Sequence, residues 1–292
     1  MKNKNGVSYG LFSGFFWGLG IAISSLIFLK FNISPFLVAL VHDFFSIFIL
    51  SIILALTTGK INFKIFLNIK SGAVILAALL AGPIGMQANL YAIKYIGGSL
   101  TSAITAIYPA ISVILALIFL KQKSSKSTLM GIFLIVIGIF FQSYRVEQVT
   151  SFYIGIFMAF CCALAWGSES VLGSYAMNNN LTEIEALLIR QVTSFLGYLV
   201  IYTFGFRGMI EQMYPVNILL LIFAMVASNM VSYIMYYKAI NRLQPAKATG
   251  LNVSYVIWTI VFSYFLIGNS FDFQIIIASL IIILGVYIIV RE

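Results

Sequence analysis

The sequence predicts an all-α integral membrane protein of ten transmembrane helices, arranged as two inverted-topology five-helix repeats. Three observations predict it. First, 62% of the 292 residues are hydrophobic and 9% charged, with a mean hydropathy of +1.06; a soluble domain is about 45–50% apolar and about 25% charged. Second, the apolar residues form ten long continuous runs. Third, the second half repeats landmarks of the first at a nearly fixed offset.

The composition excludes several classes. So few charges cannot cover the surface of a water-soluble fold of this length, and so apolar a chain is the opposite of a disordered one. Five prolines without a Gly-x-y period exclude collagen-like architectures. The net charge of +9, from 17 Lys plus Arg against 8 Asp plus Glu, reads as basic cytoplasmic loops and not as nucleic-acid binding. Cys161 and Cys162 are adjacent within an apolar run. Neighbours on a helix diverge by ~100°, so they read as small packing residues, with no metal spacing.

A helix crossing ~30 Å of hydrocarbon needs ~20 apolar residues. The ten runs cover residues 9–29, 35–57, 72–94, 99–120, 127–144, 152–177, 183–205, 216–240, 246–267 and 272–290. They are continuously apolar and do not alternate, which selects helices over a β-barrel. The first follows Lys2 and Lys4, contains Gly14, Trp17 and Gly18, and continues to Phe28 without an A-x-A site, so it reads as a retained span. Pro35 opens the second, and Gly59-Lys60-Ile-Asn62 closes it. Gly97-Gly98-Ser99 separates the third from the fourth, and Lys121-Gln-Lys123-Ser-Ser-Lys126 the fourth from the fifth. Asn178-Asn-Asn180 ends the sixth, and Thr182-Glu183 opens the seventh.

With the N-terminus in the cytoplasm, the inside set is Lys2, Lys4, Lys60, Lys64, Lys70, Lys121, Lys123, Lys126, Lys238, Arg242, Lys247 and Arg291. The outside set is Lys30, Lys94, Arg145 and Arg207. Twelve against four puts both termini in the cytoplasm. The expected location is the bacterial cytoplasmic membrane.

Trp17-Gly18 has a counterpart in Trp166-Gly167. Tyr108 corresponds to Tyr255 and Gly138 to Gly285, both 147 residues later. Repeats over 1–146 and 147–292 follow. Five spans is an odd number, so the second repeat enters the bilayer from the opposite side, the usual device for alternating access.

Tyr91-Ala-Ile-Lys-Tyr-Ile-Gly-Gly-Ser-Leu-Thr-Ser-Ala, Tyr108-Pro109, Phe119-Leu120-Lys-Gln-Lys-Ser, Gly131 and Gly138 resemble the EamA module of the drug/metabolite transporter superfamily. A weaker copy surrounds Ala239-Ile240, Leu243, Pro245-Ala246, Tyr255 and Gly285. The resemblance covers essentially the whole chain. One departure is Lys121-Gln122, where the module often carries an acidic residue in a loop. Within the superfamily the sequence is most similar to bacterial choline permeases. That resemblance implies uptake of choline for decoration of cell-surface polymers.

The candidate site rests on polar and aromatic residues far from the loops. A charge at a span centre costs about 2.5–3.5 kcal/mol on insertion scales, so each needs a reason. Asp43, beside His42 in span two, and Glu169 in span six are such charges, either compensating a cation, carrying a coupling proton or forming structural pairs. Arg190 in span seven is the expected structural partner of a carboxylate. Trp17 and Trp166 lie nearer the midplane than the interface where membrane Trp is usual, and Glu169 shares a helical face with Trp166. Tyr108 and Tyr255 also reach the centre. Ring faces and a carboxylate suit a quaternary ammonium, which has no N–H to donate; each desolvated cation–π contact is worth about 2 kcal/mol. Simple packing is the alternative for every ring, and Trp258 has the weaker claim. Gln87, Asn89 and Tyr91 in span three, and Ser228, Asn229, Ser232 and Tyr233 in span eight, either meet a substrate hydroxyl or join helices. Gly10, Gly14 and Gly18 form consecutive G-x-x-x-G spacings for close packing, and Gly82-Pro83 can kink span three.

The expected function is secondary transport: import of choline through a midplane aromatic cage, driven by membrane potential with or without protons. Export of amino acids or hydrophobic drugs is the alternative. An intramembrane enzyme is disfavoured by a single His and no acidic cluster, and with no P-loop or GxGxxG a primary pump is too. Cofactors and metals are expected to be none. The expected partners are a small organic cation and the lipid bilayer, with no nucleic acid; a homodimer is left open.

Overall fold

The computed structural model describes residues 2–58, 71–122, 124–143, 150–179, 181–205, 216–268 and 273–291. Within these residues it is all helical, with no strand. The helices are α1 (Lys2–Lys30), α2 (Pro35–Thr58), α3 (Ser71–Leu79), α4 (Gln87–Thr105), α5 (Tyr108–Phe119), α6 (Lys126–Ser143), α7 (Thr150–Met177), α8 (Glu183–Gly205), α9 (Val216–Leu243), α10 (Pro245–Asn252), α11 (Tyr255–Ile267) and α12 (Phe273–Arg291). The described residues of all ten apolar runs are therefore helical, apart from short turns within 99–120 and 246–267. Seven segments among the described residues are long and apolar enough to cross a bilayer, accompanied by three shorter apolar helices. Lys60, Lys64, Lys70, Lys123, Arg145 and Arg207 of the charge tally lie outside the described residues.

Local chemistry explains the ends and the breaks. At the start of α8 the Thr182 backbone N–H and hydroxyl both donate to Glu185 Oε2, at 3.0 and 2.8 Å, and the Glu185 N–H donates back to the hydroxyl at 3.3 Å. This is a capping box. Between α3 and α4, Leu80–Met86 widens into a π-helix around Pro83. Proline lacks an N–H and its ring crowds the preceding turn. The Gly82 carbonyl accepts the Gln87 backbone N–H and, at 2.8 Å, the Tyr198 hydroxyl.

The backbone carries the repeat more plainly than the side chains do. Four described residues have positive φ: Gly97 (76°), Lys121 (53°), Gln244 (76°) and Gly268 (80°). They form two pairs, each 147 residues apart. Gly97 and Gln244 match in ψ as well, at 161° and 157°. The non-helical turns at 106–107 and 253–254, just before Tyr108 and Tyr255, obey the same offset.

Packing repeats in the same way. A Cβ on Gly6 would meet Leu243 Cγ at 2.7 Å, and one on Gly155 would meet Ile96 Cγ2 at 2.6 Å. A Cβ on Gly18 would lie 2.8 Å from the Tyr255 carbonyl, and one on Gly167 3.1 Å from that of Tyr108. On α6 and α12, Gly131 abuts Gly285 and Ile289, while Gly138 abuts Ile282 and Ala278. These two equivalent helices therefore run antiparallel, and so the symmetry that relates them inverts one half on the other. The glycines of α1 serve close packing: Gly10 abuts Leu251, Gly14 Asn252 and Gly18 Trp258. Helix α9 is tied to α1 by Ser228 and Ser232, whose hydroxyls donate to the Phe16 and Ser13 carbonyls at 2.7 and 2.8 Å.

The matched breaks predict opposite responses to substitution. A non-glycine residue in the left-handed region costs roughly 1–2 kcal/mol. Gly97→Ala, with open space around it, is expected to lose about 1 kcal/mol of stability. Gln244→Gly is expected to keep or raise the thermal midpoint. Both are read as unfolding midpoints in detergent. Equal midpoints for Gly97→Ala and the parent would contradict the assigned backbone.

Candidate functional site

A chamber opens where α1, α5, α7, α9 and α10 meet. Trp17, Tyr108, Trp166, Glu169, Ser232, Tyr233, Tyr236 and Asn252 line it. The breaks put them there: α5 starts at the turn after α4 with Tyr108 in its first position, and α10 stops at Asn252. The other linings come from unbroken α1, α7 and α9, with Trp166 and Glu169 one turn apart.

The rings meet edge to face. The Trp17 and Trp166 centroids are 5.2 Å apart at 82°, Trp17 and Tyr233 5.1 Å at 74°, and Tyr108 and Trp166 6.4 Å at 85°. Both indoles are buried. The chamber holds about 30 Å³, room for about two waters at ~10–15 Å³ each. A methylated ammonium is larger, so the rings must part to admit one.

Glu169 is held by two donors on one oxygen. Arg190 Nε donates to Oε1 at 3.0 Å, and the Tyr237 hydroxyl donates to the same atom at 2.9 Å. Oε2 takes no hydrogen bond among the described residues. Arg190 is fully buried. Its second arm donates to the Tyr233 hydroxyl at 2.8 Å, and its guanidinium carbon lies 4.6 Å from the Tyr233 ring centroid. One cation thus fixes the carboxylate and one wall of the chamber together.

Tyr108 and Tyr255 make exchanged hydrogen bonds. The Tyr108 hydroxyl donates to Asn252 Oδ1 at 2.7 Å, and that of Tyr255 pairs with Thr105 Oγ1 at 2.8 Å. Thr105 and Asn252 are themselves 147 residues apart, so each half's tyrosine bonds the other half's break. The Tyr108 copy borders the chamber; the Tyr255 copy is sealed in the core. Asn252 Nδ2 also donates to Ser13 Oγ at 2.7 Å, tying the break to α1.

The structure brings Trp17, Trp166, Glu169, Tyr108, Ser232 and Tyr233 to one chamber and leaves the other expected residues outside it. Tyr255 is turned to Thr105. Asn229 packs on Gly20 of α1. Gln87 and Asn89 sit on α4 with their side-chain oxygens buried. Tyr91 is partly exposed and stacked on Tyr95, centroids 5.9 Å apart. Trp258 stacks with Phe262 and touches Phe15, away from the chamber. His42 and Asp43 form a separate buried cluster between α2 and α8: His42 Nδ1 lies 2.9 Å from Asp43 Oδ1, and Ser194 bonds Oδ2. Tyr236, Tyr237 and Asn252 escaped the sequence reading. The offset from Thr105 would have marked Asn252. The spacing of Tyr233, Tyr236 and Tyr237 on one helical face would have marked the tyrosines.

The whole chain is similar to known proteins. The EamA-like transporter family model matches residues 4–144 and again 153–291. Protein LicB of Haemophilus influenzae is 28% identical over 267 residues, 89% of each chain. A solved crystal structure shares the fold, with TM-score 0.75 and 15% identity, over 98% of this chain and 96% of that one.

The buried pair predicts a large asymmetry. Glu169→Gln leaves Arg190 buried without its counter-charge and is expected to cost about 3–5 kcal/mol. Adding Arg190→Met should recover much of that loss. Detergent unfolding of both variants reads it, and a Glu169→Gln protein as stable as the parent would contradict the pairing.

Proposed function

Because the chain belongs to the EamA-like transporter family, we propose that it is a secondary transporter importing a small quaternary-ammonium cation, choline, by alternating access. The observation that carries this reading is that Trp17, Trp166, Tyr108 and Tyr233 line one chamber together with Glu169. A methylated ammonium cannot donate a hydrogen bond. Ring faces within about 6 Å and one carboxylate oxygen replace its hydration. The edge-to-face indoles close the space in this conformation and separate around the ligand. A neutral or zwitterionic solute has no such use for paired indoles beside an acid.

Two repeats, 1–146 and 147–292, rock about this chamber at their interface, and exchanging their conformations moves access from one side to the other. The cytoplasmic termini follow from charge. Tyr9 of α1 lies 5.6 Å from Lys238 and 4.7 Å from Arg242 of α9, which gathers basic residues at the N-terminal end in keeping with the positive-inside rule. The membrane is the bacterial cytoplasmic membrane. Its potential drives the cation inward, with ~2.3 kcal/mol per 100 mV, or roughly fifty-fold accumulation. Protons can add to that drive through the buried carboxylates.

Uptake into proteoliposomes tests the reading. Choline should enter faster with the inside negative, and excess choline should compete while neutral amino acids should not. Trp17→Ala is expected to weaken choline binding about thirty-fold, the equivalent of ~2 kcal/mol for one cation–π wall. Competition by neutral amino acids, with Trp17→Ala without effect, would favour an exporter of such solutes instead.

A further inference from the structure

A cation of the protein's own already stands behind the chamber wall, bonded to Glu169 and Tyr233. Arg190 makes to Glu169 and to the Tyr233 ring the two kinds of contact, carboxylate and aromatic face, that a cationic substrate needs. It is fully buried, and a buried charge without a partner is costly. A second cation brought against Glu169 must therefore share that carboxylate with Arg190 or displace it. A second carboxylate stands within reach. Ser194 follows Arg190 by one helical turn on α8, and such residues lie ~5–6 Å apart at Cβ. Ser194 donates to Oδ2 of Asp43 on α2, and Asp43 is itself fully buried. His42, the other titratable group on that cluster, takes Oδ1. Its Nε2 has no hydrogen-bond partner among the described residues.

We propose that Arg190 is a tethered counter-cation: it occupies Glu169 and the Tyr233 face when the chamber is empty, and cedes both to the substrate by turning to Asp43. The inference rests on the reading of the chamber as a cation site. Each state is then locally paired. In the empty protein Glu169 holds Arg190, while Asp43 is held by Ser194 and His42. In the loaded protein Glu169 holds the ammonium and Asp43 holds Arg190. The empty carrier crosses back with Glu169 neutralised, so it returns without a naked charge in the bilayer. Binding at the chamber is also transmitted to the contact of α2 with α8, because the guanidinium leaves one and joins the other.

The test separates binding, net uptake and exchange, using labelled choline. Choline binding is measured on purified protein. Net uptake is measured into empty proteoliposomes, and exchange into proteoliposomes preloaded with choline. Arg190→Gln removes the competitor, so its choline Kd is expected to fall about tenfold, the equivalent of ~1.4 kcal/mol. Net uptake should fall because the empty protein no longer returns neutralised, while exchange, which never uses the empty return, persists. Arg190→Lys keeps the charge and should restore net uptake. Weaker or unchanged binding in Arg190→Gln, with both fluxes falling together, would overturn the proposal and make Arg190 a strut. If Arg190→Gln does not fold, Asp43→Asn carries the test. Removing the acceptor of the displaced guanidinium should weaken choline binding about tenfold at an unchanged unfolding midpoint, and unaltered binding would overturn the proposal. Failure of the parent protein itself to bind choline is a different result. It removes the cation-site reading, and the inference with it.

Discussion

A bilayer interior makes charge the scarcest and most constrained commodity in this fold. The pair formed by Glu169 and Arg190 shows how the constraint is met. Neither charge is tolerable alone, so α7 and α8 must meet at that point, and Tyr233 and Tyr237 of α9, with Gln191 of α8, supply the remaining hydrogen bonds. Three helices are registered by one ion pair. The indoles of Trp17 and Trp166 then pack over it, because the faces of α1 and α7 that carry them are already aimed at the same centre. Chamber geometry follows from electrostatic necessity as much as from apolar packing.

Broken helices are the second constraint. A helix that stops inside the membrane leaves backbone groups unpaired unless the protein satisfies them. Here the Ala106 and Val253 N–H groups at the breaks after α4 and α10 are paired within the local turn, to the Ser102 and Thr249 carbonyls, and side chains cross from one break to the other: Tyr108 with Asn252, and Tyr255 with Thr105. The exchange couples the two halves at their breaks. It is also asymmetric in outcome, since only the Tyr108 copy borders the chamber.

Much of the fold was legible because its signals are periodic or compositional. The ten apolar runs, the capping box at Thr182 and the break at Gly97 all stand in the sequence. So did the indole pair and Glu169, because a tryptophan or carboxylate far from the loops is conspicuous in a lipid-facing composition. Arg190 was legible as a partner for a carboxylate by the same logic. Rotation about each helix axis was not legible. Tyr255, Asn229 and Tyr91 have the right depth or chemistry, yet their side chains face Thr105, Gly20 and Tyr95. Nearly uniform hydrophobicity around these helices gives no stripe to orient them. Asn252 was hidden for another reason: it matters only because α10 ends there, and a run read as one span conceals its own break.

The distinct positions of the three tryptophans allow one decisive measurement. Trp17 and Trp166 wall the chamber, while Trp258 packs against Phe15 and Phe262 outside it. Indole emission is titrated with choline in a Trp258→Phe protein and in a Trp17→Phe, Trp166→Phe protein that retains only Trp258. The account predicts a saturable change in the first and none in the second. A saturable change reported by Trp258 alone, with Trp17 and Trp166 silent, would contradict it.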